Sequence, residues 1–192
     1  MEKFKLTRGE KAWILYDVGN SAFILLVSTI IPIYFNALAA GEGISDSDYL
    51  AAWGYAGSVS TLLVAVSSPL LGTLADRRNM KPILFVASLI LGALGCACLG
   101  FAWGWVSFLV IFVIAKVGYS SANVFYDAML PEITTESRMD KVSSLGYAFG
   151  YIGSCIPFIL SLVVVLFYER FGISQTTAML IAFLITTVWW VG

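Results

Sequence analysis

The amino-acid sequence predicts an all-α integral membrane protein with six transmembrane helices. Hydrophobic residues make up 59% of the chain and charged residues only 12%, whereas charged residues make up about 25% of a typical soluble domain. The apolar stretches between the charged clusters are long, and a bilayer takes roughly 20 apolar residues per helix. The length therefore fits a single bundle over residues 1–192, with short loops and no separate soluble domain.

Six apolar segments follow one another, separated by charged or turn-forming clusters. The predicted spans are about 12–39, 48–74, 82–102, 106–130, 142–168 and 175–192. Glycine and proline commonly end helices, and they lie between these spans at Gly41, Gly43, Pro82, Gly104, Pro131 and Gly172. The first span contains Asp17 and is too long for the apolar core of a signal peptide, so we expect it to be retained.

The basic residues predict the orientation. Nine of them precede span 1 or lie between spans 2 and 3 or spans 4 and 5: Lys3, Lys5, Arg8, Lys11, Arg77, Arg78, Lys81, Arg138 and Lys141. Arg170 is alone on the other side. This bias places the N-terminus in the cytoplasm of a multi-pass protein of the cell (inner) membrane, with the lipid bilayer as its partner.

Six tryptophans fall near predicted span ends, where indole rings favour the membrane–water interface. They are Trp13, Trp53, Trp103, Trp105, Trp189 and Trp190. We expect them to lie at the two bilayer surfaces.

Composition excludes several kinds of site. The chain has no histidine, which removes histidine-based catalysis and histidine-ligated metals. Cys96, Cys98 and Cys155 lie in apolar segments and are odd in number, so we expect neither a disulfide framework nor a zinc site. The net charge is −1 with no basic tract, which argues against nucleic acid as a partner. We expect no metal and no cofactor.

Three ionisable residues fall inside the spans: Asp17, Lys116 and Asp127. Each costs at least ~2.5–3.5 kcal/mol at mid-helix, so none is expected to face lipid. Asp17 and Asp127 lie within about 10 Å of the cytoplasmic boundary and are expected to face each other across a vestibule. They form a substrate, proton or cation site or a gate, or are hydrated contacts at helix ends. Lys116 lies deeper and is either functional or an ion-pair partner between helices.

The fourth span carries a continuous polar stripe. At 100° per residue, one third of its circumference holds Lys116, Tyr119, Ser120, Asn123, Tyr126 and Asp127. Span 1 repeats the pattern more weakly with Asp17, Asn20, Ser21 and Ser28. We therefore predict a substrate or coupling-ion cavity between spans 1 and 4 and no catalytic residue. Its residues are Asp17, Asn20, Lys116, Tyr119, Ser120, Asn123, Tyr126 and Asp127.

Span 5 carries small residues along one side. They are Gly146, Gly150, Gly153 and Pro157. Small residues at this spacing let helix backbones approach closely. The stripe indicates either helix packing or an interface that moves.

Three stretches carry a family resemblance. The loop after span 2 reads Gly-Thr-Leu-Ala-Asp-Arg over residues 72–77, which resembles the G-x-L-A-D-R loop of the major facilitator superfamily. It departs from that pattern at Asn79 and Met80. Residues 13–23, and residues 125–133 followed by 142–147, resemble the vacuole-effluxer-like branch, related to the autophagy amino-acid effluxers.

The resemblance implies a twelve-helix protein of two halves, each a 3+3 inverted repeat, with this chain as the N-terminal half. Helices 1 and 4 would then line a central cavity, helices 2 and 5 would meet the other half, and helices 3 and 6 would lie at the periphery. Gly72, Asp76 and Arg77 would form a gating loop. Lys116-Val117-Gly118 matches the basic motif of the family's fourth helix only loosely.

The leading functional hypothesis is secondary active transport of a small polar solute by alternating access. Amino acids are the solute class that the resemblance suggests. The chain ends at Gly192 without a charged flank, so we expect it to be truncated and to work with a missing second half or as a homodimer.

Two other classes of function stay open. One is a non-transporting assembly or sensor subunit. The other is an intramembrane aspartyl protease, because paired carboxylates can share a proton and Tyr-Asp occurs twice. The G-x-G-D sequence of those proteases is absent, and we do not expect an enzyme.

Overall fold

The computed structural model describes residues 4–192, and the described chain is helical without strands. Seven α-helices and one 3₁₀ turn follow in order. They are α1 (Arg8–Ser28), α2 (Ile30–Gly41), α3 (Asp46–Ala75), α4 (Met80–Cys98), the 3₁₀ turn Leu99–Phe101, α5 (Trp105–Ile133), α6 (Glu136–Leu166) and α7 (Gln175–Val191). Each of the six predicted apolar segments is thus helical.

Five segments are long and apolar enough to cross a membrane. They are α1 with α2 (Arg8–Gly41), α3, α4 with its 3₁₀ turn, α5 and α6. The sixth, α7, is apolar but has 17 residues, which is about 26 Å of helix. A bilayer core is about 30 Å thick, so α7 alone falls slightly short of it. The predicted all-α membrane bundle is confirmed.

The first span is broken where a single helix was predicted. Thr29 has φ −129° and ψ −68° and separates α1 from α2. The cause is Pro32, which has no N–H and whose ring clashes with the carbonyl four residues earlier, that of Ser28. At this break the hydroxyl groups of Ser28 and Thr29 donate hydrogen bonds to backbone carbonyls of the preceding turn. The acceptors are the carbonyls of Ile24 and Leu25.

Two boundaries also differ from the prediction. Pro131 does not end α5, which continues to Ile133, because a proline in the last turn removes only one backbone hydrogen bond. The fifth span was predicted from residue 142, but α6 begins at Glu136. Gly43 and Gly172 do form the turns expected of them, with φ +78° and +67°.

The core is aromatic and lies among α1, α2, α4, α5 and α7. Its largest fully buried rings are Phe23, Phe35, Phe108, Phe112 and Phe183. α4 and α5 approach most closely at Gly92 and Gly118, where a Cβ on Gly118 would lie 2.3 Å from the Gly92 nitrogen. Only glycine fits at such a crossing.

The glycines of α6 pack against α1. A Cβ on Gly146 would lie 2.7 Å from the Trp13 ring, and one on Gly153 would lie 2.4 Å from Val18 Cγ1. The stripe predicted on span 5 is therefore a close helix contact. α6 outside this contact and most of α3 expose apolar side chains, among them Leu62, Val66, Leu70, Ile152 and Ile156.

The tryptophans near the span ends differ in how far they are buried within the bundle. Trp13 and Trp190 are 7% and 4% exposed and pack inside the bundle. Trp103, in contrast, is 89% exposed. Their position at the two bilayer surfaces stays a prediction.

Candidate functional site

A polar cavity of about 410 Å³ lies between α1, α5 and α6. Asp17, Asn20 and Ser21 line it from α1, and Tyr119, Asn123, Tyr126 and Asp127 from α5; α6 adds Ser143, Tyr147, Tyr151 and Ser154. Trp13, Ile24 and Leu25 complete the wall. Both intramembrane aspartates thus lie on one cavity.

Six of the eight predicted site residues line this cavity. They are Asp17, Asn20, Tyr119, Asn123, Tyr126 and Asp127. Lys116 and Ser120 do not. Lys116 lies about three turns before Asp127 on α5 and is beyond the cavity. Ser120 lies about two turns before Asp127, at the level of the cavity, but is not among its lining residues.

Lys116 is directed toward α3. Its Nζ lies 5.8 Å from the centroid of the Phe112 ring, and a Cβ added to Gly57 of α3 would lie 3.9 Å from it. Within residues 4–192 it forms no ion pair. The hypothesis that Lys116 joins two helices by an ion pair finds no partner in the described chain.

Trp13 and Tyr126 bind α1 to α5 beside the cavity. Trp13 Nε1 donates to the Tyr126 carbonyl at 3.1 Å, and the Tyr126 hydroxyl donates to the Trp13 carbonyl at 3.1 Å. The two rings stack with centroids 4.3 Å apart and planes 11° apart. Both hydrogen bonds are buried, so each satisfies polar groups that would be costly to leave unpaired.

Asp17 has few hydrogen-bond donors around it. Asn20 Nδ2 donates to Asp17 Oδ1 at 3.4 Å, which is a long hydrogen bond. A Cβ on Gly150 of α6 would lie 3.2 Å from Asp17 Oδ2. The Asp17 carboxylate therefore fits at this position because residue 150 has no side chain. Asp127 is exposed on the opposite wall.

The cavity also holds an acceptor without a donor. Asn123 Oδ1 is buried and has no hydrogen-bond partner among the described residues. Buried polar atoms are nearly always paired. Asn123 lines the cavity, so this oxygen is a polar group of the wall that the described residues leave unsatisfied.

The wall formed by α6 was not predicted. Tyr147 and Tyr151 have ring centroids 4.8 Å apart and hydroxyl oxygens 3.2 Å apart. Each tyrosine follows a glycine of the close α1 contact, Gly146 and Gly150. This spacing was the available signal, because residues adjacent to a packing stripe border the same neighbouring helix.

A second charged cluster, also missed, fixes the start of α1. Glu10 is 1% exposed, and Arg138 reaches it with two hydrogen bonds of 2.8 and 2.7 Å. Thr134 donates to the same carboxylate at 2.7 Å and the Thr7 backbone N–H at 2.8 Å. The sequence signal was the Thr7-x-x-Glu10 capping box.

The predicted gating loop is exposed. Asp76 and Arg77 are exposed, and a Cβ on Gly72 would meet nothing within 4 Å. Lys81, in the first turn of α4 after this loop, forms an ion pair with Glu132 and donates to the Ala128 carbonyl at 3.3 Å. This contact connects the loop to the residue following Asp127, and the gating role stays a prediction.

A larger cavity of about 790 Å³ lies on the other side of α1, against α7. Its wall is almost wholly apolar, with Leu15, Val18, Ile181, Leu184 and Val188. It offers no charged group, so a polar solute is better matched by the smaller cavity.

These features define a class of protein: a polytopic helical membrane protein with a polar cavity between its helices. The family described as "Vacuole effluxer Atg22 like" matches residues 7–192, and the chain belongs to that family. The resemblance to the vacuole-effluxer-like branch of the major facilitator superfamily is thereby confirmed. The family points to a transporter rather than an enzyme.

Two curated relatives match. The chain is 38% identical over 191 residues to a protein of Bacillus subtilis (strain 168) described as "Uncharacterized MFS-type transporter YxiO". It is 27% identical over 150 residues to an "Uncharacterized protein" of Aquifex aeolicus (strain VF5). These alignments cover 97% and 77% of this chain but 45% and 36% of the relatives. The chain thus spans less than half of their length, and no solved structure matches it.

Proposed function

We propose that the chain is the N-terminal half of a secondary active transporter that moves a small polar solute by alternating access. The observation that carries this proposal is the cavity, in which Asp17 of α1 and Asp127 of α5 line one polar space. Charged residues within membrane helices are costly and mark pathways for solutes or ions. The likeness to a relative described as an MFS-type transporter supports the same function.

The second half, or a second copy of the chain, would cover the outward apolar faces of α3 and α6. Leu62 and Val66 of α3 are 64% and 63% exposed, and Ile152 of α6 is 68% exposed. Rocking of two such halves about a shared cavity would expose it to each side in turn. The charge bias of the loops supports a cytoplasmic N-terminus in the cell (inner) membrane.

Transport is tested with the protein as its gene encodes it, purified and reconstituted into liposomes. Uptake of labelled polar solutes, amino acids included, is measured for the unchanged protein and for Asp17→Asn, Asp127→Asn and Lys116→Gln. We expect saturable uptake of at least one solute and its loss in both aspartate variants. Asp140→Asn is the matched control, because Asp140 is exposed and outside the cavity.

Full uptake in all three variants would contradict the assignment of the site. Absence of saturable uptake for every solute, in protein that is folded and correctly inserted, would contradict transport itself and favour an assembly or sensor subunit.

A further inference from the structure

Three hydrogen-bond acceptors of the polar cavity have few donors or none around them. Asp17 receives a single long hydrogen bond from Asn20, Asp127 receives none from the described residues, and Asn123 Oδ1 is buried without a donor. Ionised carboxylates accept hydrogen bonds and cannot donate them. A ligand that pairs with the two carboxylates must therefore bring hydrogen-bond donors.

The charge of the wall has one sign. Asp17 and Asp127 line the cavity, and no lysine or arginine is among its lining residues. Lys116, the cation that the sequence placed in the same stripe, is directed toward α3 and Phe112 instead. Opposite charges attract, so the wall favours a positively charged ligand.

Aromatic rings add a second attraction for a cation. Trp13, Tyr119, Tyr126, Tyr147 and Tyr151 all line the cavity, and Tyr147 and Tyr151 are 65% and 54% exposed. The face of an aromatic ring attracts ammonium and guanidinium groups. Because these two tyrosines are not covered by the bundle, their rings are free to contact a ligand.

We propose that this cavity recognises a solute through a positively charged, hydrogen-bond-donating nitrogen group, held by Asp17, Asp127 and Asn123 and contacted by the rings of Tyr147 and Tyr151. The proposal rests on the proposed transport function and names the chemistry that this half of the protein recognises. The whole cavity has a volume of about 410 Å³, which is at the small end of ligand pockets and suits a small solute.

The test compares probes that differ mainly in charge. Methylguanidinium is a permanent cation with several N–H donors, methylurea is its neutral analogue of nearly the same shape, and acetate is an anion. Binding is measured from the unfolding temperature and the tryptophan fluorescence of the full protein in detergent, at constant ionic strength. A ligand that binds the folded protein raises its unfolding temperature, and the stabilisation grows with the logarithm of the ratio of ligand concentration to Kd.

We expect methylguanidinium to bind at least tenfold more tightly than methylurea or acetate. Asp17→Asn and Asp127→Asn should each weaken its binding about tenfold, because each removes one of the two negative charges on the wall. Asn123→Leu should weaken it by a smaller factor. Asp140→Asn, which leaves the cavity unchanged, should bind like the unchanged protein. The unfolding temperature without ligand shows whether each variant is folded.

Stronger binding of methylurea or acetate would overturn the proposal, as would equal binding of methylguanidinium by all cavity variants. An equal response to Na⁺ at the same concentration would also overturn it, since the site would then select an inorganic cation. The two assays distinguish a failure of the transport function from a failure of the recognition chemistry. Methylguanidinium binding without solute uptake in liposomes contradicts transport and supports the recognition chemistry. Uptake combined with binding of acetate alone contradicts the recognition chemistry and supports transport.

Discussion

Glu10 and Asp17 are carboxylates two turns apart on α1, and their surroundings differ sharply. Glu10 is 1% exposed and accepts hydrogen bonds from Arg138, Thr134 and the Thr7 backbone. Asp17 has one long hydrogen bond from Asn20 and lines an open cavity. A buried carboxylate that is fully paired holds helices together, whereas one left nearly unpaired on a cavity wall is available to a ligand.

The comparison predicts the largest loss of stability at the paired site. Arg138→Met removes both hydrogen bonds to Glu10 and leaves a buried charge unpaired, which costs about 3–5 kcal/mol. We expect a marked fall in the unfolding temperature of the purified protein in detergent. Adding Glu10→Gln to this variant should restore part of the loss, because the two residues form one network. A loss in the double variant equal to the sum of the two single losses would contradict that coupling.

A substitution in the contact between α6 and α1 should cause the second-largest loss of stability. Gly150→Ala places a methyl group 2.9 Å from Ser21 Oγ and 3.2 Å from the Asp17 carbonyl oxygen, and overpacking of this kind costs about 1–3 kcal/mol. Gly57→Ala is the matched control, since its nearest neighbour is Lys116 Nζ at 3.9 Å. Equal unfolding temperatures for the two variants would show that α6 is not held tightly against α1.

Removal of a single hydrogen bond between α1 and α5 should have a moderate effect. Tyr126→Phe keeps the stack on Trp13 and loses the hydroxyl that donates to the Trp13 carbonyl. Leaving a buried carbonyl without its donor costs about 1–3 kcal/mol, and we expect the lower end because that oxygen has a second lone pair. The shift in unfolding temperature measures it, and a shift as large as that of Arg138→Met would contradict this ranking.

The smallest effect on stability is expected at the cavity. Asp17→Asn keeps the shape of the side chain and removes a charge with a single long hydrogen bond, so the free energy of unfolding should change by only about 0.5 kcal/mol in either direction. The same variant should lose solute uptake. A variant that is strongly destabilised would instead place Asp17 with Glu10 among residues that hold the bundle together.

Much of the cavity followed from the sequence because helical periodicity is a local property. The spacing from Tyr119 to Asp127 places their side chains on one side of α5, and all the members of the stripe from Tyr119 onward except Ser120 line the cavity. Lys116 lies on the same side of the helical wheel but next to α3. A helical wheel gives direction around one axis and carries no information on which neighbour is met at each depth.

The sequence alone determined the membrane bundle, its six apolar segments and the position of two aspartates in polar stripes. It could do so because hydropathy and the 3.6-residue period depend only on residues that are close together in the chain. Only the tertiary structure decided that Tyr147 and Tyr151 complete the cavity, that Trp13 and Tyr126 exchange hydrogen bonds, and that Glu10 is paired with Arg138. These contacts join residues of different helices, and their distances depend on how close the glycines of α6 let it approach α1.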